Sequence, residues 1–118
     1  MDHEIAIIGT GIAGLAAATA VIMADRDCVL IGPPTPKMEG GVQLAPNGWF
    51  ALSALGLEKN VLSHATRLSE ITVRSLNNNA TLARLPLRGI YASVARADLA
   101  KVLAERIDQC ANLSSCLC

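Results

Sequence analysis

Apolar residues in the first third of the chain fall in short blocks separated by glycine or charge. Ile5-Ala6-Ile7-Ile8 is a β-branched run of the kind that forms a strand buried on both faces. Leu15 to Ala24 is rich in Ala and predicts a helix. Asp25-Arg26-Asp27 breaks the apolar run, and Cys28-Val29-Leu30-Ile31 then repeats the strand pattern. Gly9 to Gly14 lies between the first strand and the helix and reads as the turn. Strand, turn, helix and strand together occupy close to the roughly 30 residues of a βαβ unit. A right-handed crossover would leave the two strands parallel and adjacent.

Gly32-Pro33-Pro34-Thr35-Pro36 ends this unit, because three prolines lack the amide donors that a sheet or helix needs. A second helix is expected from Pro46-Asn47 to Gly56, with Pro at its start and Gly past its end. Ile71 and Val73 alternate with polar neighbours. The segments 70–76 and 81–85 flank Asn77-Asn78-Asn79, which predicts a β-hairpin. Leu99, Val102, Leu103 and Ile107 form one stripe of a last helix over 97–109, and 113–118 reads as the opening of another strand. The chain is thus read as one α/β domain.

Composition narrows the picture. The 118 residues include one Trp, one Tyr and one Phe, so the core must be built from Ala, Val, Ile and Leu. Ten basic residues balance ten acidic ones, which offers no electrostatic footprint for nucleic acid or an anionic membrane. Residues 5–24 carry no charge and approach the length of a membrane span. Asp2 and Glu4 precede them, however, where a signal peptide would be positive, and three glycines interrupt them. A cytoplasmic location is the expectation. Cys28 reads as a small buried hydrophobe. Cys110, Cys116 and Cys118 lack the partners or spacing of a metal site, so no metal is expected. His3 and His64 are read as having no partners; Trp49 and Phe50 are read as helix core, with a ligand-facing position as the alternative.

The chemistry-bearing motif is Gly9-Thr10-Gly11-Ile12-Ala13-Gly14, a GxGxxG between a predicted strand and a predicted helix. Gly9 permits the tight turn, Gly11 lets a pyrophosphate approach the backbone, and Gly14 lets the helix pack on the strand. The phosphates would rest on the free amides at the helix start. An acidic residue that binds the adenosine ribose normally follows roughly 20 residues on, at the end of the second strand. That place falls at Gly32, and Gly32→Glu is expected to restore the contact. Asp25 and Asp27 sit at the strand's other end.

Three further segments, Gly40-Gly41-Val42-Gln43-Leu44 with Pro46-Asn47, Leu52-Ser53-Ala54-Leu55-Gly56-Leu57, and Arg96-Ala97-Asp98-Leu99, extend the pattern. With the fingerprint, in this order, they resemble the FAD-dependent aromatic-ring hydroxylases, most closely the salicylate-hydroxylase-like branch. The resemblance implies a Rossmann-like FAD-binding core with an inserted hairpin. It also implies FAD as cofactor, NAD(P)H and O2 as co-substrates and a small aromatic substrate. Residue by residue, it implies that Gly9, Gly11, Ile12, Ala13 and Gly14 hold the pyrophosphate. Gly41 and Gln43 would run near the flavin, and Arg96 would contact its ribityl chain. The family's later cofactor motifs and substrate-binding sheet have no counterpart in these residues. The chain therefore reads as a truncated N-terminal portion, inactive alone, with no catalytic residue to name. An NAD-binding module and a non-catalytic remnant remain alternatives.

Overall fold

The computed structural model describes residues 3–33 and 38–111. The strand expected over 113–118 lies outside them. The first unit forms as a parallel pair. β1 (Ile5–Ile8) lies beside β2 (Cys28–Ile31), with Ile5 opposite Cys28 and Ile8 opposite Ile31. Between them runs α1 (Ile12–Met23), three residues ahead of the expected start at Leu15. The helix begins early because Gly11 caps it in extended geometry, and Gly14 has no side chain to obstruct the first turn.

The expectation that both strands are buried on both faces is not met. Ile5 and Ile7 turn toward the core with Cys28 and Leu30, while Ala6 and Ile8 face out, Ile8 being 85% exposed. The reason is architectural: among the described residues, this sheet has two strands and one covered face. The parallel pair is clamped where its strands begin. His3 Nδ1 lies 2.8 Å from Asp27 Oδ2, and Arg26 Nε donates to Glu4 at 2.8 Å. His3 therefore does have a partner.

A second sheet holds three antiparallel strands in the order β3 (Gly41–Leu44), β7 (Ala92–Ala95), β4 (Thr66–Arg67). These were not anticipated, being two to four residues long. The Ala-Ser-Val-Ala of β7 also has little intrinsic strand preference. Helix α2 (Pro46–Ala54) starts at its proline as expected. It closes with Leu57 N–H donating to Leu52 carbonyl at 2.8 Å and Gly56 N–H to Ser53 carbonyl at 2.9 Å. This is a Schellman closure with Leu52 and Leu57 both buried. A short α3 (Glu58–Leu62) follows, too brief for periodicity to reveal.

The predicted hairpin forms as β5 (Glu70–Arg74) and β6 (Thr81–Pro86), with Asn79 at φ 57° in the turn. Ile71 pairs with Leu85 and Val73 with Ala83, so these four share one face; Thr72 and Arg84 share the other. All five residues of β5 are exposed. The last helix, α4 (Arg96–Ala111), buries the anticipated stripe of Leu99, Val102, Leu103 and Ile107 and packs against α1.

One cluster forms the core: Leu15 and Ala18 of α1, Cys28 and Leu30 of β2, Trp49 and Leu52 of α2, Leu57, Val61 of α3, Ala92 and Val94 of β7, and the α4 stripe. Trp49 is core as expected, its indole N–H donating to Leu44 carbonyl at 3.1 Å. Phe50 is not: it is 79% exposed, turned about 100° around α2 from Trp49. The extents of 62 × 25 × 21 Å and a radius of gyration of 17.4 Å exceed the roughly 13–14 Å of a compact chain this long. Such an outline fits a hairpin that projects from the core. No helix among the described residues is long and apolar enough to cross a membrane.

Truncation at the centre and at the hairpin should separate sharply. Leu103→Ala, at a site only 1% exposed, should cost about 2–5 kcal/mol in urea unfolding. Leu76→Ala, at a fully exposed position beyond β5, should stay within about 0.5 kcal/mol.

Candidate cofactor-binding site

The glycine-rich turn is built by backbone contacts on both sides. Gly9 leaves β1 at φ +115°, a conformation that side chains disfavour, and its N–H donates to Ile31 carbonyl at 2.7 Å. The turn is thereby tied to the end of β2. The first helical hydrogen bond runs from Leu15 N–H to Gly11 carbonyl at 2.9 Å. The amides of Ile12, Ala13 and Gly14 precede that bond, so the helix itself gives them no acceptor. No side chain caps α1, and no acidic residue lies in its first turn. The positive end of the helix is thus met by no capping or acidic side chain of α1 itself.

The glycines of the motif are not equivalent. A Cβ placed on Gly14 would stand 1.8 Å from Gly9 carbonyl oxygen and 2.9 Å from its carbon. The helix therefore rests directly on the turn. A Cβ on Gly11 meets nothing within 4 Å. The space over Gly11 is open, as the close approach of a diphosphate requires. The turn thus has the uncommitted amides, the favourable dipole and the clearance to fit the pyrophosphate of a dinucleotide.

A second group of expected residues comes together elsewhere. β3 and β7 set Gly41 opposite Ala95 and Gln43 opposite Ser93. Arg96 N–H donates to Gly40 carbonyl at 2.9 Å, which joins the start of α4 to the start of β3. Gly41, Gln43 and Arg96 are all exposed, while Val42, Leu44, Ala92 and Val94 turn toward the core. The arrangement puts Gln43 and Ser93 on one face of the sheet, with Arg96 exposed at the start of α4 beside it. Ser93 was not foreseen, because the strand that carries it was not.

At the end of β2 the sequence reading needs correcting. The Cβ direction of Gly32 points at the turn, with Thr10 Cγ2 and Oγ1 each at 2.9 Å and Thr10 N at 3.0 Å. Thr10 is buried, and its hydroxyl donates to Pro33 carbonyl at 2.6 Å. Position 32 is exposed and faces the motif, but a side chain enters there only if Thr10 or the turn shifts. Gly32→Glu alone is therefore not expected to restore a ribose contact. Thr10 escaped notice because it occupies a variable position of the motif. A glycine at a strand end gives no sign of what faces it.

No family model matches the chain. It is 37% identical over 90 residues to 3-amino-4-hydroxybenzoate 2-monooxygenase of Streptomyces cremeus, which covers 73% of this chain and 22% of that protein. It is 28% identical over 115 residues to 3-hydroxybenzoate 6-hydroxylase 1 of Aquipseudomonas alcaligenes, covering 89% of this chain and 29% of that protein. The chain thus spans less than a third of the relatives' length. Its fold matches a crystal structure of the flavin-dependent monooxygenase PieE in complex with FAD and substrate. There the TM-score is 0.77 at 18% identity, covering 93% of this chain and 22% of that one.

Two substitutions test the turn. Gly14→Ala should lower the melting temperature, the strain of an overpacked contact being about 1–3 kcal/mol. Gly11→Ala, with open space around it, should melt within a few degrees of the parent protein, roughly the range of an unconstrained site.

Proposed function

We propose that this chain, a relative of the FAD-dependent aromatic-ring hydroxylases, is the FAD-binding portion of a flavin-dependent monooxygenase with a Rossmann-like core. The observation that carries the reading is the turn itself. Amides without helical acceptors, an uncapped helix start and clear space over Gly11 meet at the end of a parallel strand pair. On this reading Gly9, Gly11, Ile12, Ala13 and Gly14 hold the pyrophosphate, whose charge is stabilised by the amides and the helix dipole. Gly41, Gln43 and Arg96 serve the ribityl and flavin end.

Bound FAD, with NAD(P)H as reductant, supplies the activation of O2 for hydroxylating a small aromatic ring. This chain's own residues bind and orient. Gly11 contributes clearance, and Gly14 fixes the helix start against Gly9. The Arg96 guanidinium offers up to five donors in a fixed plane, suited to ribityl hydroxyls and a neighbouring phosphate. A positive side chain at the first residue of a helix opposes the helix dipole, so Arg96 is better explained by an anionic ligand than by helix stability.

Purified protein should carry a flavin absorption spectrum or acquire one on titration with FAD. Gly11→Val should abolish it while circular dichroism stays unchanged, because a branched side chain fills the space that the diphosphate needs. A folded Gly11→Val protein that still binds flavin would place the cofactor elsewhere.

Arg96→Ala separates FAD from dinucleotides in general. It should weaken FAD by about 1.5–3 kcal/mol, the range for hydrogen bonds to charged groups, and change ADP binding much less by calorimetry. Equal losses for both ligands would assign Arg96 to phosphate binding or to folding.

A further inference from the structure

We propose that Thr10 is the residue that closes the ribose end of this site to an acidic side chain, making Thr10 and Gly32 a single steric unit. The ligand in question rests on the reading given under Proposed function; the closure itself rests on geometry alone. A side chain at 32 starts 2.9 Å from two γ atoms of Thr10 and 3.0 Å from its backbone nitrogen. Thr10 cannot swing aside cheaply. It is 5% exposed, β-branched and therefore stiff about χ1, and its hydroxyl is held at 2.6 Å by Pro33 carbonyl. Its backbone cannot easily retreat either, since the preceding residue is tied to Ile31 carbonyl at 2.7 Å.

Two of the three close contacts come from atoms that Thr10→Ala removes. With Ala at position 10, a carboxylate at position 32 can point over the turn, where the adenosine ribose of a dinucleotide lies. With Thr10 in place, the ribose is met by a surface without negative charge. Affinity then depends on the amides of the turn. Thr10 thereby decides whether the ribose hydroxyls are read by charge.

The test is a double-mutant cycle of Thr10→Ala and Gly32→Glu in the full chain, read by melting temperature and by calorimetric titration with FAD and with ADP. Gly32→Glu should melt several degrees lower than the parent, the effect of about 1 kcal/mol of strain at the Thr10 contact, position 32 being otherwise exposed. In the Thr10→Ala background the same change should cost less than half as much. The double variant should bind ADP and FAD about tenfold tighter than Thr10→Ala alone, the worth of one charge-assisted hydrogen bond. Should Gly32→Glu fail to fold, Gly32→Ala introduces the same Cβ, and its melting loss should again shrink when Thr10 is replaced. Equal melting losses in both backgrounds would overturn the proposal, as would an equal gain in ADP affinity from Gly32→Glu in both. Coupled melting losses with no binding of FAD or ADP by any variant would uphold the closure and refute the assignment of FAD.

Discussion

The seating of α1 on the carbonyl of Gly9 is the constraint from which the remaining geometry follows. At Gly14 the helix approaches the turn so closely that no side chain fits between them. That contact fixes both where the helix begins and how it lies across β1 and β2. Leu15 and Ala18 consequently enter the core, and α4 packs against the surface they create. The same contact holds the first amides of α1 at the strand ends, where they can serve a ligand. If the turn holds a ligand as proposed, stability and binding share one backbone contact, and neither can be altered there independently.

The two ends of the parallel pair are held by different chemistry. Where the strands begin, ionisable side chains meet: His3 with Asp27 and Arg26 with Glu4. The Arg26–Glu4 pair is well exposed, and such pairs contribute at most about 1 kcal/mol. Where the strands end, the bonds use backbone groups and one hydroxyl, from Gly9 to Ile31 and from Thr10 to Pro33. No carboxylate takes part there. A Cβ at Gly32 would meet the buried Thr10 at 2.9 Å, in keeping with the small residue that stands there.

Much of this was legible in the sequence because the relevant signals are local. The β-branched runs at 5–8 and 28–31 and the glycines between them mark the parallel unit, and the stripe from Leu99 to Ile107 marks α4. The Asn cluster at 77–79 marks the hairpin turn. What escaped depends on partners distant in sequence. β3 is held as a strand by β7, about fifty residues away in register, and β7 by both β3 and β4. Phe50 and Trp49 are adjacent and similar in kind, yet only the helix face decides that one is buried. The start of α1 was misplaced for a subtler reason. Glycines suggest a turn, whereas here Gly14 is what permits the helix to begin sooner.

The hairpin carries a different kind of consequence. Ile71, Val73, Ala83 and Leu85 form an uncovered apolar face on a two-stranded sheet, and a sheet of two strands has an open edge on either side. Unpaired edges beside apolar side chains are templates for adding further strands. The hairpin strands carry Glu70, Arg74 and Arg84, of which Arg84 and Glu70 pair at 3.1 Å. The hairpin is therefore an element of this chain open to strand addition, whereas β1 and β2 present their ends to the glycine turn.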